Sequence, residues 1–273
     1  MTDSSSGVDG EDLKLDSSVA HSARVWDYWL GGKDNYAADR EAGDQIRGVL
    51  PDVVEAARVD RAFLNRAVRY LAGEAGIRQF LDVGTGLPTA NNTHEVAQSV
   101  APDSRIVYVD NDPIVLAHAR ALLVGTAQGA TDYIDADLHD PSTILRAAAR
   151  TLDLRQPVGI MMLGVVQFVI DDDEARTIVQ RLVDAVPSGS YLTIAHPVIG
   201  VSAALEEAVR LWNETGSAPQ ALRTPDQIAM FFDGLELLEP GVVPCPRWRP
   251  DPGEAAADRD VAPWRVCAVG RKP

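Results

Sequence analysis

Cysteine is nearly absent: Cys245 and Cys267 are the only two in 273 residues. That is too few for a disulfide framework or a structural zinc site, so both are read as inert thiols. Long apolar runs are missing too. A membrane-spanning helix needs about 20 apolar residues, and the longest candidate, VGIMMLGVVQFVI from Val158, reads as a buried strand with its exit. The first residues have neither the basic start nor the apolar core of a signal peptide, and the expected location is cytoplasmic. Basic side chains are outnumbered, 25 against 40 acids, for a net charge of −15. Residues 1–18 account for only −4 of this, so the rest of the chain is itself acidic. A grip on nucleic-acid phosphates needs clustered Lys and Arg, so no nucleic-acid partner is expected. Those first residues also lack aromatics and hold three aliphatics, too few to offset the entropy of ordering. Residues 1–20 are read as a disordered acidic tail.

What is present is a rhythm. From Ile77 onward, apolar runs of strand length (77–83, 105–110, 131–138, 157–166 and 190–197) alternate with helical patterns near 89–101, 113–124, 141–151 and 173–186. Pro113 follows Asp112, where an N-cap acid and a first-turn proline agree. Such repetition, with near-continuous apolar strands, predicts a parallel sheet covered on both faces. The rhythm breaks late. Helices near 201–213 and 225–232 precede strands at 235–243 and 264–272, joined by a polar stretch without an obvious helix, which predicts an antiparallel pair at one side of the sheet. Residues 21–75 read as a helical cap, and 76–273 as the main domain.

The stretch FLDVGTGLPTANNTHEVAQ, from Phe80, carries the first sign of chemistry. A strand, the turn Gly84-Thr85-Gly86 and a following helix place a ligand at the carboxyl edge of the sheet. Glycine there lets the backbone approach a ligand and adopt positive φ. A dinucleotide fingerprint would have a third glycine at position 89, where this chain has Thr89. Asp82, Asp110 and Asp137 are expected to close the first three strands, and no Lys or Arg occurs from Gln79 to Ser104. At ~6 Å and an effective dielectric of about 20, each carboxylate costs a phosphate charge roughly 2–3 kcal/mol. For a cationic ligand the sign reverses, and S-adenosylmethionine, with a sulfonium, an ammonium and no phosphate, suits the rim. Asp110 is then placed to accept both ribose hydroxyls, with Asn111 beside it. Asp137 would take the adenine amino group while Leu138 packs on the ring, and Asp82 would face the amino-acid end. Leu163, at the end of the fourth strand, completes the set. The competing reading makes each acid a loop residue capping a helix.

LDVGTGLPT, YVDNDP and DADLHDP resemble the cofactor motifs of class I S-adenosylmethionine-dependent methyltransferases. The likeness is closer to an actinobacterial group whose members open with a segment similar to ARVWDYWLGGKDNYAADR, from Ala23, and it covers nearly everything from Ala20 on. The resemblance implies an α/β, Rossmann-like sheet of seven strands with the last antiparallel, an N-terminal helical cap, and a small-molecule methyl acceptor. Related enzymes often carry a histidine after the fourth strand. Here Gln167 stands in that place, and glutamine is no general base at neutral pH. Methyl transfer depends above all on in-line positioning, so Gln167 stays a candidate at the reacting end. His196, after the fifth strand, is the alternative base.

Residues 26–36 hold Trp26, Tyr28, Trp29 and Tyr36 around a Gly31-Gly32 break. They could close over the cofactor; the tryptophans read better as a small core between cap and domain. Tyr36 and Asn35 are expected to touch the cofactor, and family position suggests Arg24 for its carboxylate. Arg58, Arg61, Arg66 and Arg69 share a helix, as a site for an anionic acceptor or, the favoured reading, a solvated face paired with acids. His21, His118 and His139 show no metal-ligand spacing, so no metal is expected. The leading expectation is a methyltransferase. A non-catalytic binder of the same cofactor and a nicotinamide-dependent dehydrogenase remain as rivals.

Overall fold

The computed structural model describes residues 16–88, 90–115, 117, 125–252 and 261–273. Thr89, His118 and most of the predicted helix over 113–124 lie outside the described residues, as do residues 1–15 of the predicted tail. Residue 20 is packed into the folded part, while residues 16–19 are exposed. Ala20 is buried and bridges to Gly216, its carbonyl accepting from the Ser217 N–H at 3.0 Å.

Three helices come first: α1 (Ser22–Trp29), α2 (Ala37–Val49) and α3 (Val53–Gly73). Asp39, fully buried, joins the first two. Its carboxylate accepts from the N–H of Tyr36 at 2.8 Å, at the entry to α2, and from the N–H of His21 at 2.9 Å, at the entry to α1. Orphan donors at two helix starts are met by one side chain.

The strands and helices that follow are β1 (Gln79–Val83), α4 (Thr93–Val100), β2 (Arg105–Asp110), β3 (Ala130–Asp135), α5 (Pro141–Ala148) and β4 (Gly159–Leu163). Then come α6 (Asp172–Asp184), β5 (Tyr191–Pro197), α7 (Ala203–Thr215), α8 (Pro225–Ala229), β6 (Glu236–Leu237), β7 (Val243–Pro244) and β8 (Arg265–Arg271). The sheet order is β3-β2-β1-β4-β5-β8-β6, with β7 also on β8. β1 to β5 are parallel, and β8 runs antiparallel to its neighbours.

Two cores sandwich this sheet, and the period of two along each strand divides them. Leu81, Val107, Val109, Ile160, Met162, Leu192, Ile194 and Ala268 enter one cluster; Phe80, Ile106, Tyr108, Met161, Cys267 and Val269 enter the other. The second is closed by Phe63, Ala67 and Leu71 of α3. Val25, Ile46 and Leu50 of α1, α2 and the loop after it join the first. The N-terminal helices therefore share the main cores.

Two expected strands differ. The run 131–138 stops at Asp135, because the Asp137 carboxylate accepts its His139 N–H (2.9 Å) and its carbonyl accepts the Asp140 N–H (3.0 Å), turning the chain. Asp137 therefore lies two residues beyond the strand it was expected to close. The run 235–243 splits into β6 and β7 around Pro240 and Gly241, where Gly241 has φ +83° and donates to the Leu238 carbonyl. Among the described residues, that split raises the strand count from seven to eight. Among the described residues, no helix is long and apolar enough to cross a membrane, and no group of His, Cys, Asp and Glu could hold a metal.

Candidate active site

At the carboxyl edge of β1 the chain turns sharply. Gly84 and Gly86 have φ of +73° and +67°, and the N–H groups of Gly84 and Thr85 both donate to the Val109 carbonyl on β2. A Cβ on Gly84 would stand 2.3 Å from a methyl carbon of Val165, so the turn lies flush against the loop after β4. Asp110, at the end of β2, locks the turn from the other side. Its Oδ2 accepts the Gly86 N–H at 2.7 Å and its Oδ1 the Asp112 N–H at 3.0 Å. The side chain is 9% exposed, and burial raises its pKa against the opposing pull of those two bonds.

A cavity of about 290 Å³ opens over this turn. It is lined by Asp82, Gly84, Thr85, Gly86, Asp110, Asn111, Asp137, Leu138 and Leu163, so all nine core positions singled out from the sequence meet there. They are not equivalent. Asp82 is buried and accepts from Thr93 Oγ1 at 2.6 Å; burial pushes its carboxyl up to about 6, with the Thr93 bond and Arg61 pulling the other way. Asp137 has a side chain 56% exposed and pairs with the His139 ring at 2.7 Å. Its pKa lies below the ordinary value: burial raises it, and the His139 hydrogen bonds and charge outweigh that.

The opposite wall comes from elements that strand-end reasoning could not place. Trp26, Asp27 and Leu30 come from α1 and its end, Asp60, Arg61 and Leu64 from α3, Phe168 from the turn after β4, and Ser217 and Ala218 from the loop after α7. Arg61 donates to the Ala90 and Asn91 carbonyls at 3.0 and 2.9 Å, and burial lowers its pKa. The cation missing from 79–104 is thus supplied by α3. Asp60 is paired with Arg265, buried, through Nε at 2.7 Å and Nη2 at 2.5 Å. The arginines of α3 share no face of common purpose. Arg58 pairs with Glu55 and Arg69 with Asp251 at the surface, while Arg66 is buried on the carbonyls of Cys245 and Trp248. The acidic pairing expected for this face is seen at Arg58 and Arg69. The sequence signal for Arg61 and Leu64 was their i, i+3 spacing on a helix with an otherwise apolar face.

Five expected site residues lie outside this lining. Arg24 is buried between Asp39 and Asp112, at 3.6 and 3.4 Å. Asn35 donates to Asp27 Oδ2 and to the Gly32 carbonyl, closing the loop after α1. Tyr36 precedes α2, its ring beneath the Arg24 guanidinium at 5.6 Å. His196 is fully buried; its Nδ1 lies 2.8 Å from the Pro197 carbonyl and its Nε2 3.0 Å from Arg223 Nη1. The guanidinium can only donate, so Nε2 accepts and the proton sits on Nδ1. Burial lowers its pKa to about 3, leaving a neutral ring with no lone pair facing the cavity. Gln167 is buried next to the cavity without lining it. Of the aromatic cluster, Trp26 faces the cavity and Trp29 packs against the core.

The volume falls near the lower end for small-ligand sites, and the donor set suits a cationic adenosyl ligand: a glycine cradle, two buried carboxylates at strand ends, and one arginine opposite. Among solved structures, the chain is similar to a DUF574 family protein from Streptomyces avermitilis, at 47% identity and a TM-score of 0.89 over 94% of this chain and 99% of that one. It is also similar to a methyltransferase candidate from Thermobifida fusca, at 41% identity and 0.85 over 97% and 99%. An S-adenosylmethionine-dependent methyltransferase from Anabaena variabilis, at 15% identity and 0.50 over 74% and 80%, shares the fold. No curated protein sequence matches. The family described as S-adenosyl methyltransferase matches residues 9–273, and so the turn, the carboxylates at the strand ends and the sheet that carries them belong to a chain of that family, whose cofactor is S-adenosylmethionine.

Proposed function

We propose that this chain catalyses methyl transfer to a small organic acceptor, with the cavity above the Gly84–Gly86 turn holding S-adenosylmethionine. The observation that carries the reading is Asp110, buried, bonded to the turn at Gly86 and lining the cavity. A carboxylate offers about four lone-pair positions. Two are used by backbone N–H groups, which leaves capacity for the two ribose hydroxyls. Leu138 packs on the adenine while Asp137 accepts from its amino group. At the other end Asp82 faces the ammonium, and Arg61 takes the carboxylate. Asn111 and Leu163 flank the nucleoside, and the turn at Gly84, Thr85 and Gly86 lets the backbone approach the amino-acid end. Bound there, the sulfonium would supply an electrophilic methyl group, and Trp26, Phe168 and Ala218 would line the space left for the acceptor.

No residue is assigned as a general base. His196 is neutral and turned away, and the lining imidazoles, His21 and His139, each stand beside a carboxylate at the nucleoside end. Catalysis then rests on orientation and exclusion of water. That same feature favours a second reading, a non-catalytic cofactor binder.

Calorimetry with S-adenosylhomocysteine tests the first part. Binding is expected in the wild type, and Asp110→Asn should weaken it about 10–100-fold, the loss of hydrogen bonds to a charged acceptor. No heat in the wild type overturns the cofactor site. Incubation with labelled S-adenosylmethionine and cell extract separates enzyme from binder, because incorporation that vanishes with Asp110→Asn requires catalysis.

A further inference from the structure

Beside the main cavity lies a second, smaller space. Trp26 and Ser22 line both, and beyond them a recess of about 60 Å³ is walled mainly by Trp29, Leu205, Val209, Trp212 and Trp264. Among the described residues its one charged lining group, Arg265, is ion-paired with Asp60, although its Nη2 makes no hydrogen bond. Gln167 also lines it, 2% exposed, and its Oε1 has no hydrogen-bond partner among the described residues. Leaving a buried acceptor unmatched costs more than leaving it in water, so native structures nearly always supply a donor. Ser22, Gln220 and the Arg265 guanidinium also line the recess, but among the described residues none of them donates to that oxygen.

We propose that this recess receives the flat, uncharged end of the methyl acceptor, which presents a single O–H or N–H to Gln167 Oε1, as a phenol or an indole does. The inference rests on reading the adjoining cavity as the methyl-donor site. Three tryptophans favour a planar apolar body, because aromatic pairs gain beyond their buried area. A charged end would lose its hydration with no free counter-charge to meet it. The volume is less than half that of a cavity of about 150 Å³ that holds benzene. The recess therefore takes one edge of the ring with its donor, and the remainder of the acceptor extends past Trp26 toward the sulfonium. Gln167 binds this end without removing a proton.

The test uses phenol, indole, toluene, anisole and benzoate as probes, titrated by ligand-observed NMR into the whole chain saturated with S-adenosylhomocysteine. Phenol and indole should bind about fivefold or more tighter than toluene and anisole, the worth of one net hydrogen bond, and benzoate should not bind. Gln167→Leu should bring phenol down to the level of toluene and leave toluene unchanged. Val209→Phe, a change at a half-buried wall position, should remove both. Equal binding of phenol and toluene to the wild type overturns the proposal. So does a preference for anisole, strong binding of benzoate, or no binding by any probe. Should Gln167→Leu fail to fold, phenol binding that survives Val209→Phe overturns it instead. Titration with S-adenosylhomocysteine alone reports separately on the donor site. Selective phenol binding in a chain that ignores that nucleoside would leave the recess standing and remove the methyltransferase reading.

Discussion

The two sides of the cavity follow different rules. One side is made of residues within a few positions of strand ends: Asp82 to Gly86, Asp110 and Asn111, Ala136 to His139, and Leu163 to Val165. In a parallel sheet the register fixes where every strand stops, so side chains from distant parts of the sequence gather at one edge. The other side is made of helix faces, one turn and one loop, from α1, α3, Phe168 and residues 217–218. Their placement depends on how far α3 tilts over the sheet and where the chain after α7 returns. Even within the first side burial separates like from like: Asp110 is locked to the glycine turn, whereas Asp137 is half in solvent on a histidine.

The sharpest way to break this contrast is at the turn. Gly84→Ala adds a Cβ 2.3 Å from Val165 at φ +73°, while the same change at Gly86 meets nothing closer than 3.9 Å among the described residues. Calorimetry with S-adenosylhomocysteine should show Gly84→Ala losing binding by about 100-fold or more. Gly86→Ala should lose about tenfold, the cost of a left-handed residue. Equal effects would mean that the turn does not lie against the loop after β4.

On the helical side, Arg61→Gln should weaken S-adenosylhomocysteine about tenfold and leave 5′-methylthioadenosine, which has no carboxylate, unaffected. A parallel loss for both ligands would assign Arg61 to holding the Ala90–Asn91 turn instead.

Protonation gives a smaller, signed effect. Asp82 is held near 6 against an ordinary 3.8. The folded state therefore binds this proton more readily than the unfolded chain, and its stabilising contribution is full below about pH 4 and lost as pH rises through 6. His196 has the opposite sign. Held near 3 against 6.5, it contributes fully above pH 6.5 and progressively loses that contribution as pH falls toward 3. Urea unfolding of Asp82→Asn should gain on the wild type by about 2 kcal/mol between pH 4.5 and pH 7. Affinity for S-adenosylmethionine should rise through pH 6 in the wild type, where Asp82 ionises, and stay flat in the variant.

The smallest change is expected at Asp137→Ala, about twofold to threefold in nucleoside affinity, since that carboxylate is screened by water. An effect as large as that of Asp110→Asn would erase the distinction between the two acids.

Local chemistry made much of this readable in advance. Alternating strand and helix patterns, a glycine turn after the first strand and an acid after the second follow from periodicity and φ alone, and the structure brings them together where they were expected. Cap residues were harder. Arg24 was assigned to the cofactor by family position, and Asn35 and Tyr36 because they follow the Gly31-Gly32 break on a polar stretch. Yet all three hold the loop and helix starts around Asp27, Asp39 and Asp112. Motif position gives no direction for a side chain on a short helix. His196 failed for a related reason, since a residue at a strand end can face either layer, and here Arg223 and Phe231 cover it.

The order of residues along the chain was enough to specify the sheet, its cradle and the sign of charge around it, because strand period, glycine conformation and carboxylate charge act over a few neighbouring positions. Which helix closes the cavity, which arginine reaches it and which amide is left unmatched beside three tryptophans came from packing. Contacts between residues a hundred or more positions apart are selected by the fit of whole surfaces, and no short stretch of sequence carries that fit.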